Sequence, residues 1–263
     1  MRHARLTVAD LRALKGRRKF SMLYVETEDE ARAAAEAGID MLSIVETFWT
    51  PAMRAAAGDC FVQVGLLYGH HVTAEDYLRA AHRHLRTGGD SFYCAGSFDT
   101  IARLTDEGIP VIGHAGLVPS RATWTGGFKA VGKTAETALA LFDDIRRFEE
   151  AGAIGVELEV VPDRVASEIA RRSPLILLGM GAGPHADAQY LFAEDVLGCT
   201  RGHKPRHARS YADFASEYAR LQQMRVAAFA AFRDEVQTGD YPAPQHVVAM
   251  ADEEYERLLA ALA

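Results

Sequence analysis

Eight short apolar runs, separated by amphipathic stretches of helical period, constrain this chain more than any other feature. The runs are "FSMLYV" (20–25), "MLSIV" (41–45), "FVQVG" (61–65), "SFYCA" (91–95), "PVIGH" (110–114), "GVELEV" (155–160), "LILLGM" (175–180) and, more weakly, "VLGCT" (196–200). Helical segments between them include "EDEARAAAEAG", "AEDYLRAAHRHLRTGG", "FDTIARLTDEG" and "KTAETALALFDDIRRFEEAG". Several end in glycine, which readily takes the left-handed conformation that stops a helix. Strands apolar on both faces belong to a parallel sheet covered by helices. Eight strand–helix units favour a closed (β/α)₈ barrel, the TIM barrel of the α/β class, over an open doubly wound sheet. The 263 residues also match the roughly 250 that such a barrel needs. A dinucleotide fold would want G-x-G-x-x-G after the first strand, but that strand runs into "ETEDEAR" and "GMGAGP" arrives only after the seventh.

The chain reads as one domain over 1–263, with 211–263 as C-terminal helices. There "SYADFASEYARLQQMRVAAFAAFRDEV" is a long amphipathic helix, "YPAPQH" interrupts it, and "ADEEYERLLAALA" closes the chain. Such appendages cover a barrel end or mediate oligomers. The net charge of -7 and the short basic stretches "KGRRK" and "RGHKPRHAR", both beside loops, argue against a nucleic-acid partner. The three cysteines, Cys60, Cys94 and Cys199, show neither metal spacing nor a disulfide framework, which suits a reducing compartment. No apolar run approaches the roughly 18 residues that cross a membrane. The first residues, "MRHARLTVADLRALKG", lack the apolar core of a signal peptide. A cytoplasmic protein without a membrane partner is expected.

Functional groups of such barrels collect at the C-terminal ends of the strands. In order, those ends hold Glu46 and Thr47, Gly65, Ala95, His114, Glu159 and the "GMGAG" loop containing Gly181. Glu159 is the strongest candidate, since a strand-end acid serves as base or metal ligand. Glu157 lies one pleat deeper on the same face of the strand. Burying two carboxylates together is costly, so their presence in "IGVELEVVP" asks for a reason. His114 reads equally as a catalytic or a core histidine. Of His70 and His71, adjacent in "LLYGHH", at most one enters the mouth; His82 and His84 lie within a helix and read as surface. The glycine-rich loop reads equally as an anion site or a tight turn.

"IPVIGHAGLVP" with "TGGFKAVGK", then "LEVVP" (158–162), "GMGAGPHADAQYL" (179–191) and "RGHKPRHARSY" (201–211), resemble the ketopantoate hydroxymethyltransferase family in order and spacing. That family lies within the phosphoenolpyruvate mutase/isocitrate lyase superfamily. With "KFSMLYVETEDEARAAAEAGIDMLSIVET" the resemblance spans most of the chain, more loosely in its first half. It implies a (β/α)₈ barrel and a homo-oligomer. It also implies deprotonation of a branched 2-oxo acid next to its carbonyl, the enolate then attacking a one-carbon unit from methylenetetrahydrofolate. Family enzymes hold the oxo acid on Mg²⁺, a Lewis-acid role. On this resemblance Glu159 matches the base, His114 a histidine of the site that would donate to the oxyanion, and Thr47 a substrate-contacting hydroxyl. Gly181 and Tyr93 fall at substrate positions.

The metal positions depart from the pattern. Glu46 stands in place of an aspartate ligand, Gly65 in place of a second aspartate, and Tyr93 and Ala95 in place of a lysine and a glutamate. Glycine and alanine offer no oxygen to a hard cation, so Mg²⁺ or another divalent ion would need a rebuilt site. Three readings of Glu157 stay open: a relocated metal site with Glu46 and a histidine, one proton shared with Glu159, or a plain buried ion pair. The expected function is C–C bond formation or cleavage next to the carbonyl of a small 2-oxo acid through an enolate. A superfamily lyase or decarboxylase acting without folate, or a silent small-acid-binding barrel, are the alternatives.

Overall fold

The computed structural model describes residues 5–263, so the first four residues of the N-terminal stretch lie outside the described residues. Eight strands close in sequence order: β1 (Phe20–Tyr24), β2 (Met41–Val45), β3 (Phe61–Gly65), β4 (Ser91–Tyr93), β5 (Val111–Gly116), β6 (Gly155–Glu159), β7 (Ile176–Met180) and β8 (Ala188–Phe192). Every neighbouring pair is parallel, and β8 seals the barrel on β1 from Phe20↔Ala188 to Tyr24↔Phe192. Around them run α1 (Val8–Leu14), α2 (Glu28–Glu36), α3 (Pro51–Ala56), α4 (Ala74–Arg86), α5 (Phe98–Asp106), α6 (Ala122–Thr125), α7 (Ala135–Glu150), α8 (Asp163–Arg172) and α9 (Ala193–Leu197). Thr27, Thr73 and Thr134 start α2, α4 and α7 with side-chain caps that satisfy an otherwise orphaned N–H.

The expected eighth strand at 196–200 is corrected. The strand is "AQYLF", and "VLGCT" instead holds the last turn of α9 and its left-handed cap, Gly198. The chain also divides into two compact units, 1–211 and 212–263, close to the boundary read for the C-terminal helices of a single domain. The second unit contains α10 (Phe214–Thr238) and α11 (Asp252–Leu262), neither of which buries a residue. No described helix is long and apolar enough to cross a membrane.

Strand alternation sorts the core into two regions. Outward residues such as Leu42, Ile44, Val62, Val64, Val156 and Leu158 pack beneath the helices. Inward residues Phe20, Met22, Met41, Phe61, Ile112 and Ile176 fill the N-terminal half of the lumen, where Leu11 of α1 joins them. The lumen turns polar towards the strand ends with Ser43, Gln63, Ser91, His114 and Glu157, all buried. This gradient places the polar cluster on a solid apolar floor.

Gly113, on the outer face of β5, shows how tightly α7 sits. A Cβ there would stand 2.3 Å from Cε1 of Phe148. Gly113→Ala should therefore destabilise the protein by about 1–3 kcal/mol. In a Phe148→Leu background the same change should cost clearly less, because the clashing ring is gone; equal costs in a urea-denaturation double-mutant cycle would contradict this packing.

Candidate active site

Glu157 and Glu159 both face inward on β6, one pleat apart, and His114 on β5 stands between them. Its Nδ1 lies 3.7 Å from Glu157 Oε2 and its Nε2 lies 3.2 Å from Glu159 Oε2. The register pairs His114 with Glu157 and Gly116 with Glu159, so the triad follows directly from strand alignment. Tyr93, inward on β4, comes within 2.9 Å of His114 Nδ1. Burial, with Glu157 the next contributor, pushes the Tyr93 phenol well above its usual range, so it keeps its proton and has it to give to Nδ1 in the tautomer where that nitrogen accepts. A neutral imidazole then carries its own hydrogen on Nε2. That buried Nε2 makes no hydrogen bond, although Glu159 Oε2 stands 3.2 Å away.

Glu157 is 6% exposed and accepts a 2.6 Å hydrogen bond from Gln63 Nε2, which also reaches Ser43 Oγ at 3.2 Å. Burial raises the Glu157 carboxyl above its ordinary value; His114 and Gln63 pull it back, and the neighbouring Glu159 raises it further. The outcome is a carboxyl that resists ionisation, one pleat below a more accessible one. No lysine or arginine is among the groups acting on it.

Glu159 is held by its backbone. Leu117 donates to its carbonyl at 2.9 Å, and Gly116 (φ +87) permits the approach, since a Cβ there would lie 2.3 Å from that oxygen. The next residue, Val160, has φ 49, the one positive value outside glycine among the described residues. A β-branched side chain is strained in that region. Hydrogen bonds from Val160 N–H to Met180 (2.8 Å) and from Val131 N–H to the Val160 carbonyl (3.1 Å) hold the kink.

A cavity of about 390 Å³ opens at this end of the barrel, with Ser43, Gly65, Tyr93, Glu157 and Tyr190 in its deeper wall. Its lining includes Glu157 but neither Glu159 nor His114, which stand beside it.

The other expected site residues are dispersed. After the lumen-facing Ser43 and Val45, Glu46 turns out towards the helix layer. Its Oε1 accepts from Leu67 N–H (2.8 Å) and meets His71 Nε2 at 2.7 Å, while Oε2 meets His84 Nε2 at 3.1 Å. His84, expected on the surface, is buried: Tyr77, Ala81 and His84 share the inward face of α4. His71 rather than His70 is the engaged member of that pair. Thr47 lies exposed on the following turn. Gly181 has φ +64 and a Cβ there would sit 2.8 Å from His207 Nδ1, while one on Gly183 would sit 2.2 Å from Asp163 Oδ1, so the glycine-rich loop is a tight turn packed on its neighbours. Sequence reasoning missed Gln63, Ser43, Ser91 and Tyr190; the signal for Gln63 was a lone polar residue in "FVQVG" on the same face as Gly65.

A hard divalent cation does not fit these residues. Gly65 and Ala95 carry no donor, and Glu46 has committed its oxygens to two histidines and an N–H. The expected pairing of Glu46 with Glu157 on a metal is corrected for the same reason, since alternation sends them to opposite sides of the barrel wall. Among the described residues no three His, Cys, Asp or Glu side chains are grouped to share an ion.

A closed parallel barrel with an acid–imidazole–acid cluster towards its C-terminal end defines a (β/α)₈ protein with a polar site beside a small cavity. The chain belongs to the ketopantoate hydroxymethyltransferase family, whose profile matches residues 45–244. It is 33% identical to the 3-methyl-2-oxobutanoate hydroxymethyltransferase of Syntrophobacter fumaroxidans over 97% of this chain and 96% of that one. It is 34% identical to the enzyme of the same name from Thermus thermophilus, over 92% and 99%. Among solved structures, 2,3-dimethylmalate lyase, a PEP mutase/isocitrate lyase superfamily member, aligns with a TM-score of 0.51 at 18% identity, covering 98% of this chain and 100% of that one. A phosphonopyruvate hydrolase bound to oxalate and Mg²⁺ aligns with a TM-score of 0.52 at 13% identity, covering 97% and 99%. These two likenesses concern the fold alone.

The Glu46 cluster yields a pH prediction. Burial alone would raise this carboxyl, but hydrogen bonds from His84, Leu67 N–H and His71 outweigh it and draw it from 4.5 to about 2. A depressed folded value stabilises the protein above the unfolded one and is lost as pH falls through the folded one. Glu46→Gln should thus lower stability by about 1–2 kcal/mol at neutral pH. The difference from wild type in thermal melts should shrink as pH drops from 4.5 towards about 2; a pH-independent difference would contradict the cluster.

Proposed function

We propose that this protein removes a proton from the carbon next to the carbonyl of a small 2-oxo acid and makes or breaks a C–C bond there through the enolate. Glu159 takes the proton, the C–H electron pair moves into the carbonyl as an enolate, and His114 Nε2–H donates to the developing oxyanion. Tyr93 holds the imidazole in the tautomer that can do so. Glu157, below them, is harder to ionise than a solvated carboxyl because of its burial and the neighbouring Glu159. In the forming direction, as the family resemblance implies, water cleaves the methylene C–N bonds of methylenetetrahydrofolate to give formaldehyde and tetrahydrofolate; the enolate carbon adds to the formaldehyde carbon, the carbonyl re-forms, and the new alkoxide takes the proton held by Glu159. The observation that carries this reading is the unpaired, buried His114 Nε2 beside Glu159: an oxyanion donor and a base 3.2 Å apart. Family membership supports it.

Proton exchange tests the first step directly. In D₂O with 3-methyl-2-oxobutanoate, the C3 proton should exchange faster in the presence of the protein, followed by NMR. Glu159→Gln should slow that exchange by about 10²–10⁴-fold, with the melting temperature nearly unchanged. Exchange at the uncatalysed rate with wild-type protein would overturn the reading.

A further inference from the structure

We infer that Tyr190 is a substrate-binding residue of this site, its phenol O–H donating to the carboxylate of the bound oxo acid. The inference takes the class of ligand from the proposed function and adds the group that holds it. Four hydroxyl-bearing side chains line the cavity, Tyr24, Ser43, Tyr93 and Tyr190, and no lysine, arginine or histidine is among its lining residues. Hydroxyl groups are therefore the neutral donors that an oxo acid meets there, and the direction of each can be traced.

Three of the four are committed. Tyr24 donates to Glu26 Oε1 at 3.0 Å. Tyr93 stands 2.9 Å from His114 Nδ1, its acceptor in the tautomer described above. Ser43 is fixed by the amide beside it. Gln63 Nε2 spends its two hydrogens on Glu157 Oε1 and Ser43 Oγ, so the serine oxygen accepts there. Its own hydrogen then serves Tyr190, whose phenol hydrogen-bonds with Ser43. Tyr190 thus accepts at its oxygen, and its hydrogen is left for an acceptor inside the cavity.

The surroundings suit that task. Tyr190 is 4% exposed. Its strand register places it beside Met22 of β1, and its ring lies 6.1 Å from that of Phe192. Burial, then the nearby Glu157, holds the phenol well above its usual range, with Ser43 drawing it back in part, so it keeps its proton. A donor at that depth without an acceptor is costly, and a bound carboxylate removes the cost. Glu157, itself harder to ionise than a solvated carboxyl, lessens the repulsion an acid meets on this floor. In the proposed step the carbonyl oxygen goes to His114 and the C3 proton to Glu159, which leaves the carboxylate for Tyr190. Thr47, expected to supply the substrate-contacting hydroxyl, lies exposed on the turn after β2; β8 supplies one instead.

Tyr190→Phe removes the hydroxyl and keeps the ring. Calorimetric titration with 3-methyl-2-oxobutanoate should show binding about 10–100-fold weaker than in wild type, with the melting temperature nearly unchanged. In wild type, near-ultraviolet difference spectra should show a tyrosine perturbation with this acid that 3-methyl-2-butanone, which has a methyl group in place of the carboxylate, does not produce. No saturable binding of the acid by wild type, equal affinity in Tyr190→Phe, or the same perturbation with the ketone would overturn the inference. Binding that is weakened in Tyr190→Phe without any C3 exchange in wild type would sink the enolate reading and leave this one standing. Exchange by wild type with unaltered affinity in Tyr190→Phe would do the reverse.

Discussion

Two carboxyl groups and an imidazole enclosed at the top of a packed barrel cannot all be charged as they would be in water. Desolvation penalises each charge, and the repulsion between Glu157 and Glu159 adds to it. The barrel resolves this by depth. Glu157, held by Gln63 at 2.6 Å, resists ionisation, while Glu159 sits one pleat higher beside the ring of His114. Register, strand alternation and the kink at Val160 all converge on that arrangement. Pairs of acids whose surroundings separate them in this way divide the roles of acid and base between them.

The same alternation explains what happened at the positions where the family resemblance implies a metal. Glu46 faces the helices and closes a cluster with His71 and His84, which ties β2 to the loop after β3 and to α4. Gly65 leaves its place in the cavity wall open, and a Cβ there would meet only ordinary contacts, the nearest being Val45 Cα at 3.5 Å. The cavity beside them is lined by Glu26, Glu30, Glu157 and Glu194.

Much of this was legible in the chain itself. Seven strands announced themselves as short apolar runs, because strands buried on both faces have nowhere to put polar groups. The eighth did not: in "AQYLF" Gln189 and Phe192 are exposed while Ala188 and Tyr190 are buried, and that alternation falls where loop residues crowd. Glu157, Glu159 and His114 were readable as strand-end groups, and the structure brings them together. Glu46 and Thr47 were read at a strand end too, but sequence order does not reveal that the chain turns outward there. His84 was readable in principle, since Tyr77, Ala81 and His84 follow helical spacing. Gln63 stood out as a lone polar residue in "FVQVG", but its partners Ser43 and Glu157 lie on other strands, which only tertiary structure brings together.

The central claim is that burial and the nearby Glu159 raise the Glu157 carboxyl above its ordinary value. Infrared difference spectroscopy of wild type against Glu157→Gln, in H₂O and D₂O across a pH titration, tests it most directly. A protonated-carboxyl band that shifts in D₂O, persists above the pH at which solvated carboxyls ionise and is missing in Glu157→Gln is the predicted result. A band absent in Glu157→Gln that is lost at the pH of an ordinary carboxyl would contradict the account.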